Sequence, residues 1–129
     1  MRKKNSICEF SSERSEALIR SFRESLARQS VISLKRAFQD AVDAPAPRFW
    51  VSEARAVRVF TRMIKGIDLT EGMLPEKRKM YMEIYRRTME FKRLHPDVSL
   101  GDIIFEIINS EAPSSYMSVR LAQRIIRKR

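Results

Sequence analysis

The stretch 46-APRFWVSEARAVRVF-60 returns later in the chain as 112-APSSYMSVRLAQRII-126, and the architecture depends on reading the two together. Each opens with Ala-Pro, sets an aromatic (Trp50, Tyr116) and then a serine (Ser52, Ser118), and runs on into apolar residues at helical spacing. A serine just ahead of such a run is a helix N-cap, because its hydroxyl can accept from a backbone N–H that the first turn leaves unbonded. Ala56, Val59, Phe60 and Met63 make the buried stripe of one helix, and Ala122, Ile125 and Ile126 that of the other.

The same register extends outward without a gap. Ser33, Leu34, Ala46, Pro47, Ser52, Ala56 and Arg58 match Ser99, Leu100, Ala112, Pro113, Ser118, Ala122 and Arg124. Phe38/Ile104, Val42/Ile108, Val51/Met117, Val59/Ile125 and Phe60/Ile126 stay apolar, while Asp40/Glu106 and Asp43/Asn109 stay polar. Periodicity alone does not carry caps, proline and aromatic together, so the pattern points to an internal duplication.

The rest of the chain fits around this unit. Residues 1–11 are polar and basic without a clear period and read as a flexible arm. From Ser12, Leu18, Ile19, Phe22 and Leu26 share one face of a first helix, with Arg14, Arg20, Arg23, Glu24 and Arg28 mainly elsewhere. Ser33 caps a second helix with Leu34, Ala37, Phe38, Ala41 and Val42 inward, stopped by Pro45 and Pro47. Glu53 suits the positive end of the third helix, and Gly66 suits its end. Residues 66–74 form the linker. Pro75 and Glu76 start a fourth helix with Tyr81, Ile84, Tyr85, Thr88 and Phe91 inward, and His95-Pro96 closes it. Ser99 with Asp102 opens a fifth, whose Leu100, Ile103, Ile104, Ile107 and Ile108 repeat the second, and Ser118 caps the sixth. The expectation is an all-α chain of about six helices, in two tandem three-helix repeats over 12–65 and 75–129.

Twenty-six Lys and Arg against sixteen Asp and Glu give a formal charge of +10, which calls for an anionic partner, nucleic acid foremost. Cys8 is the single cysteine, so no intrachain disulfide forms and a reducing cytoplasm is expected. No run of apolar residues is long enough for a membrane span. His95 is the only histidine, no Gly-rich phosphate loop or nucleophile elbow is present, and no metal-ligand spacing occurs, so neither an enzyme nor a cofactor or metal is expected.

The cations of the third helices carry the functional reading. Arg55, Arg58, Arg62 and Lys65 flank or oppose the first stripe, joined by Arg48 in the turn. Arg120, Arg124, Arg127, Lys128 and Arg129 do the same in the second copy, and Gln123 adds a side chain able to bond an adenine edge. A helix followed by a capped helix, a turn and a basic helix resembles a helix-turn-helix module, present twice over roughly residues 15–129, with a turn of about nine residues where three or four are usual. The Pro-aromatic-x-Ser phrase ahead of a basic helix also resembles small basic proteins of bacterial phages and mobile elements. The resemblance implies DNA binding, with the third helices laid on the duplex. Two other readings use the same residues: a helical interaction or phage-component protein that docks on a protein partner or a second copy, and RNA binding with Trp50, Tyr81, Tyr85 or Tyr116 stacking on bases.

Overall fold

The computed structural model describes residues 6–128, folded into α1 (Ser6–Arg28), α2 (Leu34–Asp43), α3 (Glu53–Ile64), α4 (Pro75–Leu94), α5 (Leu100–Ile108) and α6 (Val119–Arg127). The chain is all-α. Among the described residues there is no strand, only an isolated antiparallel bridge between Ala46 and Ala112. No helix is long and apolar enough to cross a membrane.

Local chemistry sets the helix boundaries. Ser33, Ser52, Ser99 and Ser118 each hold extended backbone, and their hydroxyls accept from the amides of Arg36, Arg55, Asp102 and Leu121 at 3.1–3.2 Å. Gly66 ends α3 in the left-handed region at φ +92°, a conformation open to glycine at little cost, and this lets Ile67 N–H return to Arg62 O at 2.8 Å. Pro75 opens α4, where its missing N–H leaves no helical bond unmade. Lys92 closes the other end by donating its Nζ to Pro96 O and Val98 O at 3.0 and 2.6 Å.

Two features depart from the sequence reading. Helix α1 starts at Ser6, so the arm expected over 1–11 is helical from that residue on, and residues 1–5 lie outside the described part. The stripe of α2 begins at Ala37, one turn later than expected, and Leu34 is 54% exposed. Residues 66–74 are tied down by Asp68, which accepts from the Thr70 hydroxyl and amide at 2.5 and 2.9 Å while Thr70 is fully buried. Those two bonds, the hydroxyl's first, hold the Asp68 carboxyl below its ordinary value, with the Arg78 charge adding to them.

Helix α1 lies on α2 and α4 lies on α5, but the third helices cross over, α3 packing on α5 and α6 on α2 and α1. One core therefore joins Val59 and Phe60 to Tyr81, Ile84, Ile103 and Ile104. A second joins Leu18, Ala41 and Val42 to Ala122 and Ile125. The two Pro-aromatic turns meet between them. Ala46 N–H donates to Ala112 O at 2.9 Å and Ala112 N–H to Ala46 O at 2.8 Å. Phe49 N–H donates to Ile108 O at 3.0 Å, and at positions 66 residues removed Ser115 N–H donates to Val42 O, also at 3.0 Å. Adding 66 to the donor's number and subtracting it from the acceptor's turns one bond of each pair into the other, so the bonds between the two turns are reciprocal.

Candidate nucleic-acid interface

Helices α3 and α6 bury one side and leave the other cationic. With Ala56, Val59 and Phe60 inward, Arg58, Arg62 and Lys65 are exposed. With Ala122 and Ile125 inward, Arg120, Arg124, Arg127 and Lys128 are exposed. Arg58 on α3 and Arg124 on α6 stand 66 residues apart at matching places, and Arg62 and Lys128 are separated by the same 66.

The ion pairs of the described residues all lie elsewhere. Arg28 and Arg36 face Asp40, Arg78 faces Asp68, Arg86 and Arg87 share Glu83, and Arg93 faces Glu90. Helix α3 holds one acidic residue, Glu53, and α6 holds none. The positive charge of the third helices is therefore unbalanced locally, while four of the cations on α4, Arg78, Arg86, Arg87 and Arg93, are answered by neighbouring carboxylates. Such an arrangement attracts a polyanion without first having to break internal pairs.

Not every residue expected in this surface belongs to it. Arg48 turns back on its own loop, donating Nε to Phe49 O and Nη2 to Val51 O, both at 3.0 Å, with its guanidinium 4.0 Å from the Phe10 ring centre. It clamps the turn. Arg55 is half-buried and donates Nε to the Tyr81 hydroxyl at 3.1 Å. Burial raises the Tyr81 phenol above its ordinary value, and the hydrogen bond and charge of Arg55 oppose that rise. Arg127 is exposed but leans over Phe38, 5.5 Å from the ring centre, and Gln123 is half-buried. Arg129 lies outside the described residues. The surface that remains consists of Arg58, Arg62 and Lys65 on one side, and Arg120, Arg124, Arg127 and Lys128 on the other.

The aromatics offered for base stacking are mostly used inside the fold. Tyr81 is fully buried and meets Phe60 edge-on at 5.7 Å. Tyr116 stacks on Phe49 at 6.0 Å, and Trp50 sits 6.3 Å from Phe10. Both aromatics ahead of the third helices thus pack on other rings of the chain.

One unusual polar residue escaped the sequence reading. Arg14, assigned away from the apolar face of α1, is half-buried, and its Nε has no acceptor among the described residues. Burial lowers its guanidinium from the ordinary value. The signal was present: Arg14 stands four residues before Leu18, hence on the same helical face. Comparison of the chain with protein-family models, with curated proteins and with solved structures finds no match.

Proposed function

We propose that the protein binds duplex nucleic acid, DNA foremost, and performs no chemistry on it, holding backbone phosphates with the outer faces of α3 and α6. The observation that carries this reading is the set of exposed third-helix cations, Arg58, Arg62, Lys65, Arg120, Arg124 and Lys128, with no ion pair to any described carboxylate. Phosphate contacts of this kind supply sequence-independent affinity and position the protein on the helix. The burial of Tyr81 favours a duplex over unpaired bases as the ligand.

We also read the chain as an internal duplication whose halves are related by a two-fold axis, from the matched caps and the reciprocal bonds of the two turns. Rotation about such an axis leaves the axial component of any direction unchanged. Whatever lean Arg58 has toward one pole, Arg124 shares, which is the relation a single rod of phosphates touching both requires. From the resemblance to small basic proteins of phages and mobile elements, the setting we propose is a regulator or accessory factor of such an element.

Electrophoretic titration on duplex DNA at two salt concentrations tests the reading. Six phosphate contacts correspond to a fall in affinity on the order of a thousandfold between about 50 and 200 mM salt. Arg58→Ala and Arg124→Ala are each expected to weaken binding several-fold and to flatten the salt slope. Arg93→Ala, which removes a cation already paired with Glu90, should change little. Binding that ignores salt would point to an apolar protein partner instead, and preference for single strands would point to RNA.

A further inference from the structure

We propose that the open-mouthed cavity bordered by α1, the first turn of α4 and the turn leading into α6 is a binding site for a small monocarboxylate carrying an apolar chain. The cavity measures about 350 Å³, and Met73, Met80, Met117 and Leu121 supply apolar walls. At roughly 30 Å³ for each water-sized group it holds about a dozen heavy atoms. Methionine walls suit a flexible chain, since the unbranched thioether adapts to irregular shapes.

The polar part of the lining selects the head group. Arg14 and Trp50 both border the cavity, and both the Arg14 Nε and the Trp50 indole Nε1 are buried with no acceptor among the described residues. No described carboxylate pairs with Arg14. Arg14 is half-buried with its Nε cut off from solvent, and a cation partly withdrawn from water without a counter-ion is costly, since buried cations in folded proteins are as a rule paired. Glu76 and Lys77, which also border the cavity, contribute one charge of each sign, so Arg14 leaves the lining one positive charge in excess. A single carboxylate balances it, whereas a phosphate dianion would over-compensate. Helix α4 adds a second favourable element. Its N-cap, Leu74, offers no side-chain acceptor, so the positive end of the helix faces the cavity with its first amides unanswered by any cap.

This site does not depend on nucleic-acid binding, and its test is separate. Trp50 is the only tryptophan in the chain, so its emission reports directly on the cavity. Decanoate, below its micelle concentration, should shift that emission saturably. Decanol and decyl phosphate should each bind at least tenfold more weakly. Arg14→Met should lower decanoate affinity at least tenfold while the ligand-free protein keeps its helical circular dichroism and melts higher than the parent. Trp50→Phe, followed by calorimetry, should weaken decanoate several-fold. Decanol binding as tightly as decanoate, or decyl phosphate binding more tightly, overturns the assignment in the parent protein alone, even where Arg14→Met fails to fold. So does a linear, unsaturating fluorescence change.

Discussion

Single side chains in this molecule differ most in whether their hydrogen-bonding capacity is used. The Arg48 guanidinium reaches two carbonyls and an aromatic face, and Arg87 reaches Glu83, Glu111 O and the Phe49 ring. Thr88 is the opposite case: it is fully buried on α4, and its hydroxyl has no partner. A buried hydroxyl without a partner costs about 1–3 kcal/mol relative to a satisfied one, whereas valine fills the same volume with nothing to satisfy. Thr88→Val is therefore expected to stabilise the protein by about 1 kcal/mol, read as a higher midpoint in urea with an unchanged slope. A lower midpoint would mean that the hydroxyl bonds within its own helix. Residue identity alone gave no warning, because threonine at that position fits the inward spacing of α4 as well as an apolar residue would. Arg48 misleads for a related reason. Beside a basic helix it counts as one more cation, and only the fold of the turn reveals that two carbonyls claim it.

At the level of helices, the serine caps tie sequence to structure most directly. All four expected caps accept from the amide three residues on, and α2, α3, α5 and α6 start directly after them. Replacing a capping serine by alanine leaves a first-turn amide without that acceptor, at a cost of about 1 kcal/mol. Ser52→Ala and Ser118→Ala should each lower the thermal midpoint by a few degrees, by similar amounts because the two caps have the same geometry. A cap that could be removed without loss would mean that its helix is held by packing alone. What made these helices legible was a stop signal, a cap and a stripe in one register. The start of α1 was not legible, since residues 6–11 carry neither cap nor apolar period. The partner of each third helix was not legible either. Periodicity reports which face of α3 and α6 is buried, and it is silent on whether α3 lies on α2 or, as it does, on α5. The candidate interface was legible in part for the same reason. Outward cations such as Arg58 and Arg124 follow from the stripe, whereas the diversion of Arg55 to Tyr81 requires the packing of α4.

The molecule as a whole is organised by the crossing of α3 and α6, which makes neither half self-sufficient. Residues 1–65 contain α1 to α3, yet α3 buries Val59 and Phe60 in a core whose buried helical residues from outside α3 all come from α4 and α5. Residues 75–129 contain α4 to α6, yet α6 buries Ala122 and Ile125 against α1 and α2. The two halves produced separately are expected to unfold without a cooperative transition as monomers, and to regain one when mixed in equal amounts, as followed by circular dichroism. A half that melts cooperatively as a monomer would contradict the crossed packing. Because both crossings are closed within one covalent chain, each third helix meets its seat at an effective concentration fixed by the segment between Lys65 and Pro75, not by how much protein is dissolved. Dilution, which melts an exchanged dimer of separate chains, is expected to leave the melting point of a single crossed chain where it was.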